Sequence, residues 1–227
     1  MEIARGTVLS VNVGGVREFE YRGGQAFSAI WKSAVSGRVA VRGVNLAGDE
    51  QADRNVHGGP DKAVYAYGIE DTRWWEEQIG RSLEHGEFGE NLSTKGIDVT
   101  DAIVGERWEI GSALFEVSEP RVPCWRFAVR MDDKLFPRRF TEAGRPGAYL
   151  RILREGDVGE GDDVRVVDRP DHDLTIGDVF RIFTHDRADA GRLLGVPSMS
   201  SSWQRWAEQL LERRGERKSG TTDPGCC

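Results

Sequence analysis

The sequence predicts a mainly β protein with helices (α+β). Its many short strands would form a barrel or sandwich, followed by a small helical unit. Three observations carry this. Short alternating or β-branched runs, separated by turn residues, fill the first two-thirds of the chain, and the 28 glycines fall between those runs rather than in a low-complexity stretch. After Pro170 the pattern changes to helix caps followed by apolar residues at helical spacing. At 227 residues the chain can bury its own hydrophobic core as one domain, with or without a small appendage.

Each element has a local cause. Ile3 to Val13 alternates loosely, Gly14-Gly15 offers a turn, and Val16 to Tyr21 returns. Arg38 to Val44 alternates charged and apolar side chains, as a half-buried strand does. Ala63 to Tyr67 is aromatic and β-branched and comes directly after a Gly-Gly-Pro break. From Ile69 to Ile79 the residues Ile69, Trp75 and Ile79 can share a helix face, with Gly80 as the stop. Glu106 to Ser118 reads as a hairpin around Gly111-Ser112. Ala148 to Leu153 and Val164 to Val167 are further strands on either side of the turn-rich GDVGEGDD.

Beyond Pro170, Thr175-Ile176-Gly177-Asp178 has the form of a capping box and opens a short helix through Phe183. Asp186 can cap a second helix that ends near Leu194-Gly195. Ser201-Ser202-Trp203-Gln204 is another capping box, with Trp203, Trp206, Leu210 and Leu211 at helical spacing. The expected organisation is a β domain over residues 1–169 and a three-helix unit over 170–214 that is too small to fold alone. A polar tail over 215–227 is expected to be disordered. If the barrel leaves the Trp203/Trp206 face uncovered, a homodimer is the expected way to bury it.

Composition excludes several classes. With 31 Lys and Arg against 38 Asp and Glu, the formal charge of −7 argues against a nucleic-acid polymer as partner. No stretch of about 18 apolar residues suggests a membrane span, and no targeting segment is visible at the start. Three cysteines cannot build a disulfide framework, so a cytoplasmic location is expected. Cys226 and Cys227 end the chain and are read as incidental to a flexible tail. Cys124 is then the thiol in the body of the protein.

Cys124 lies in SEPRVPCWRF, flanked by Arg121 and Arg126, with Pro120 and Pro123 stiffening the approach. The thiolate is the nucleophilic and metal-binding form, and neighbouring cations favour it. A lone cytosolic cysteine is more commonly a buried structural one. An apolar burial site, however, would not surround its thiol with guanidinium groups. A second candidate is Arg54-Asn55-Val56-His57-Gly58-Gly59-Pro60-Asp61-Lys62, where successive glycines can aim backbone N–H groups at an anion between Arg54 and Lys62. A tight turn between strands explains Gly-Gly-Pro equally well. A third is Gly86 to Leu92, where Glu90 and Asn91 either bind a polar ligand or shape turns. Arg138, Arg139 and Arg145 add cations after the cysteine loop, although solvated arginines are the commoner case.

Other chemistries fail on inventory. The four histidines form no HExxH, no cysteine pair has structural zinc spacing, and there is no GxSxG elbow. A nucleophilic pair of Cys124 with His57 stays open, without a local protease signature.

Taken in order, GVNLAGDEQADRNVHGGPDKAVYAY, GEFGENLS, VGERWEIGSALFEVSEPRVPCW and GRPGAYLRIL with GDVGEGDDV resemble the MOSC domain, named for the C-terminus of molybdenum-cofactor sulfurases. The resemblance covers about residues 25–169 and is to the stand-alone bacterial YiiM-like branch. RPDHDLTIGDVF and the residues C-terminal to it resemble that branch's three-helix appendix. The resemblance implies a β-barrel-like fold and a molybdenum cofactor (molybdopterin) bound through Cys124. Arg54, Lys62 and the His57-Gly58-Gly59 backbone are the first choices for recognising its pterin and phosphate, Asn91 and Arg121 the second, and Arg126 the third. A soft thiolate among cations suits such a metal. The implied reaction is reduction of small N-hydroxylated compounds, notably hydroxylaminopurine-type base analogues. Electrons would come from a separate donor protein, because the chain has no CxxC cluster or flavin motif. Two alternatives stand beside it: a sulfur carrier or sulfurtransferase using a Cys124 persulfide, and a carrier of the cofactor. No PLP is expected.

Overall fold

A computed structural model describes residues 5–52 and 58–219. Thirteen strands and five α-helices succeed one another in this order: β1 (Arg5–Val13), β2 (Arg17–Tyr21), β3 (Gly24–Ser28), β4 (Ser33–Val35), β5 (Val39–Arg42), β6 (Asn45–Leu46), β7 (Val64–Gly68), α1 (Ile69–Ile79), β8 (Leu92–Lys95), β9 (Arg107–Ile110), β10 (Ala113–Pro120), α2 (Trp125–Arg130), α3 (Phe136–Ala143), β11 (Ala148–Arg154), β12 (Gly156–Val158), β13 (Asp163–Asp168), α4 (Ile176–Thr184) and α5 (Ser201–Ser219). Short 3-10 turns occupy Pro60–Lys62 and Arg187–Gly195.

Between a barrel and a sandwich, the strands choose a barrel. The order β13-β9-β10-β11-β7-β8-β1 closes because β13 also pairs with β1, and β4 hangs on β1 outside the ring. Every pairing in the ring is antiparallel except β7 with β8. Two parallel neighbours need a long crossover, and α1 lies within it. Gly80 ends α1 in the left-handed conformation at φ 70°, and its N–H donates to the Glu76 carbonyl.

Alternation along β7 sets up two cores at once. Val64 and Ala66 face the barrel interior with Val8, Val11, Leu92, Trp108, Phe115, Val117 and Leu150. Tyr65 and Tyr67 face outward into an aromatic layer with Trp75, Phe88, Phe127, Phe136, Phe140 and Phe180. That layer is roofed by α1, α2 and α3. Only α1 shows in the sequence pattern. Helices α2 and α3 escape it because each is shorter than the window over which helical periodicity shows, with six and eight residues respectively. Strands β3, β4, β6, β8 and β12 escape it too, since at two to five residues they carry too few alternating positions.

The C-terminal helices extend the barrel core rather than forming a separate one. Ile176, Val179, Ile182, Ala190, Leu193, Trp203 and Ala207 belong to the same buried cluster as the barrel interior. Thr175 caps α4 as expected, its Oγ1 accepting from the Asp178 N–H at 3.0 Å. Asp186 does not cap the turn after it; its carboxylate pairs with Arg181 instead. Helix α5 continues to Ser219, past position 214, because its charged Glu and Arg residues are good helix formers that tolerate Gly215.

Candidate active site

Strand β10 delivers the cysteine. It runs as far as Pro120, and after Arg121, Val122 and Pro123 the chain turns into α2 with Cys124 as its extended N-terminal residue at φ −130°. The thiol is half-buried. It lines two clefts at once.

The first cleft, about 650 Å³ counting the part open to solvent, is bounded by residues from six segments, among them Lys32, Asp49, Gln51, Lys62, Tyr65, Arg121 and Tyr149. Among the described residues, four cations line it with Cys124: Lys32, Lys62, Arg121 and Arg126. Arg121 is almost fully buried, donates to the Phe88 carbonyl, and lies over the Phe127 ring at 4.4 Å and the Tyr65 ring at 5.1 Å. Burial opposes its charge, but the groups around it, Cys124 among them, hold its proton more tightly than usual. Arg126 donates to the Phe27 carbonyl at 3.2 Å and stacks over Trp125. Lys62 Nζ stands 3.1 Å from Glu119 Oε1.

Of the residues expected to bind, Cys124, Lys62, Asn91, Arg121 and Arg126 all line this cleft. Arg54 and His57 lie outside the described residues. Gly58 and Gly59 sit against Gln51, and the Gly59 N–H donates to Gln51 Oε1 at 3.0 Å instead of pointing at an open anion site. Asn91 is spent structurally: its Oδ1 accepts from the Tyr65 N–H, and its Nδ2 donates to the Asn12 carbonyl and to Asp49 Oδ2. Glu90 shapes the turn, accepting from the Gly86 and Phe88 N–H groups and the Ser93 hydroxyl. The later arginines are elsewhere: Arg138 pairs with Glu142, Arg139 with Asp133 and Arg145 with Asp71.

Sequence reasoning missed Lys32, Tyr149 and the part played by Asp49. Lys32 and Asp49 form a buried ion pair on the cleft wall. Burial pushes the Lys32 ammonium below the usual lysine range, with Asp49 opposing that shift. Asp49 had a visible signal, as an acid just after the Gly48 turn. Lys32 had none. Tyr149 sits in an ordinary alternating strand; burial raises its phenol's pKa, opposed by Arg121 and Lys62.

The second cleft, about 860 Å³ counting the part open to solvent, lies on the helical side of the cysteine. Lys62, Cys124 and Tyr149 line both clefts. The rest of the second is Glu119, Pro120, Val122, Pro123, Phe183, Ser202, Trp203 and Trp206. Trp203 is largely covered within its own chain, with Phe183 at 5.1 Å and Trp206 at 5.8 Å.

A closed seven-stranded barrel carrying helical layers, with Cys124 between a barrel strand and a helix and among cations, defines a class of protein. Residues 53–165 match the MOSC domain, and the chain belongs to that family. It is 33% identical over 207 residues to the uncharacterized protein YflK of Bacillus subtilis (strain 168), covering 90% of this chain and 94% of that one. It is also 33% identical over 184 residues to protein YiiM of Escherichia coli (strain K12), covering 78% and 82% respectively. A protein named "Reductase" from Gibberella moniliformis (strain M3125 / FGSC 7600) is 31% identical over 169 residues, which span 73% of this chain but 30% of that protein. The crystal structure of YiiM from Geobacillus stearothermophilus superposes with a TM-score of 0.75 at 30% identity, covering 91% of this chain and 99% of that chain.

Proposed function

We propose that this chain holds the molybdenum cofactor in the cleft beside Cys124 and reduces small N-hydroxylated compounds, hydroxylaminopurine-type base analogues among them. The donor set is the observation that carries this. The described residues contain no group of three or more His, Cys, Asp or Glu side chains able to hold a metal ion. Cys124 offers one soft sulfur. A metal that arrives already chelated by its cofactor needs only one such protein ligand, and the cleft's four cations suit an attached phosphate. The residues therefore fit the group. Membership of the MOSC family and the likeness to a protein named as a reductase support the same reading.

When bound, the cofactor supplies two-electron chemistry that cleaves an N–O bond. With two electrons and two protons, an N-hydroxylated compound gives an amine and water. The chain supplies the rest. Cys124 Sγ would be the metal ligand. Lys62, Arg121 and Arg126, together with Arg54, His57 and Gly58, would hold the phosphate and pterin, whereas the Gly59 N–H is taken by Gln51. Lys32 and Asp49, fixed by Asn91, shape the wall. Tyr149 keeps its phenolic proton because it is buried, and it lies where both clefts meet the thiol. In this reading it would be a proton donor to the leaving hydroxyl. In this reading electrons come from a separate protein and the setting is the cytoplasm.

A persulfide on Cys124 uses the same thiol and cations, since a guanidinium stabilises either sulfur anion. That would make the chain a sulfur carrier. The assay that separates the two supplies protein made with the cofactor pathway intact, 6-N-hydroxylaminopurine and an artificial reductant. Adenine formed at one per two electrons supports the reductase. Transfer of labile sulfur from Cys124, with no adenine formed by cofactor-loaded protein, sinks it.

A further inference from the structure

The second cleft contains a buried carboxylate that is only half satisfied. Glu119 is 2% exposed. Its Oε1 faces Lys62 at 3.1 Å, while its Oε2 has no hydrogen-bond partner among the described residues. Buried carboxylate oxygens are ordinarily satisfied. Glu119 lines the cleft whose other walls are Phe183, Trp203, Trp206 and Tyr149. Phe183 and Trp206 are only partly buried, so ring surface stays open to a ligand. Cys124 lies on the shared edge.

We propose that this aromatic cleft is the substrate subsite, in which Phe183 and Trp206 cover the faces of a flat nitrogen heterocycle and Glu119 Oε2 accepts one of its N–H groups. The inference rests on the reading of the first cleft as the cofactor site, and adds where the substrate ring sits and which residue selects it. Flat faces against flat rings recognise shape with little regard to ring pattern. The single buried acceptor supplies the selectivity, because a ring with no donor leaves Glu119 unsatisfied. Lys62 is then shared: its ammonium pairs with Glu119 at one cleft while lining the other. The carboxylate is a specificity determinant and takes no part in the redox step.

The test is calorimetric titration of the full-length chain, with and without cofactor, using two probes. Adenine carries N–H donors; 6-chloro-9-methylpurine has none. Adenine is expected to bind one to one. Glu119→Gln should weaken adenine about 10- to 100-fold and leave 6-chloro-9-methylpurine unchanged. Trp206→Leu should weaken both by about tenfold. Ser202→Trp, on an exposed position at the cleft mouth, should block both without touching the core. Adenine affinity indifferent to Glu119→Gln and Ser202→Trp overturns the subsite, as does an effect of Glu119→Gln on pterin content alone. The two readings fail separately. Loaded protein that reduces N-hydroxylated compounds but ignores adenine loses only the subsite. Glu119-dependent adenine binding without any reduction loses only the enzymatic function.

Discussion

Lys32 and Asp49 form an ion pair whose side chains are 8% and 3% exposed, on the wall of the cleft that also holds Cys124. Asp49 further accepts from the Gly14 N–H at 2.8 Å and from Asn91 at 3.0 Å, so one carboxylate ties three segments together. Removing Lys32 leaves that carboxylate buried without its counter-ion. Lys32→Met is expected to destabilise the protein by about 3–5 kcal/mol. Adding Asp49→Asn, which removes the stranded charge, should restore part of the loss. A double-mutant cycle by urea denaturation checks this; strictly additive effects would contradict it.

The sequence leaves Asn91 as either a ligand contact or a turn residue, and in the structure its amide is fully committed to the protein. Asn91→Ala strands the Tyr65 N–H and the Asn12 carbonyl. It should cost about 2–4 kcal/mol, visible as a lowered urea midpoint in protein that carries no cofactor. Unchanged stability with weakened pterin retention would make Asn91 a ligand contact instead.

Three of the four tyrosines bear on alkaline stability. Burial holds the phenols of Tyr65 and Tyr67 well above the usual value of 10.0 and also raises Tyr149. A raised folded-state pKa means that the folded form keeps its proton more tightly than the unfolded form. The stabilisation is complete below pH 10 and is lost as pH climbs through the folded-state values. Tyrosinate absorbance at 295 nm from these three rings should therefore appear together with the loss of far-UV circular dichroism. Three tyrosinates in protein still folded near pH 10 would contradict the burial.

Gly111 and Gly161 separate crowding from backbone strain. Both have positive φ, 58° and 84°. A Cβ at Gly111 would lie 2.3 Å from the Asp157 carbonyl oxygen and 2.5 Å from Asp162 Oδ2, whereas nothing approaches one at Gly161. Gly161→Ala should cost about 1–2 kcal/mol from left-handed strain alone. Gly111→Ala should cost at least about 2 kcal/mol more, because it pushes β12 off the β9–β10 turn. Equal thermal shifts in the two variants would contradict this.

The parts of the fold legible in the sequence are those with their own local signal. The bounds Ile69–Ile79 come from apolar spacing and Gly80, and the β9–β10 hairpin from Gly111-Ser112. Closure of the barrel is not legible from periodicity, because it depends on β13 meeting β1 across more than 150 residues. Helices α2 and α3 are hidden because their apolar residues, Phe127, Phe136 and Phe140, serve an aromatic layer visible only once α1 and β7 are in place. Cys124 shows itself through its own neighbours, the prolines and arginines. Lys32 and Glu119 act through partners 17 and 57 residues away, and a local reading has no access to those.

The central claim is that Cys124 ligates a cofactor-borne metal, and the most direct measurement is the molybdenum and pterin content of protein made with the cofactor pathway intact. Wild-type chain should carry close to one of each, and Cys124→Ser should lose the molybdenum while keeping its far-UV spectrum and melting temperature. Molybdenum and pterin retained in full by Cys124→Ser, or a persulfide on Cys124 in wild-type protein that contains no molybdenum, would contradict it.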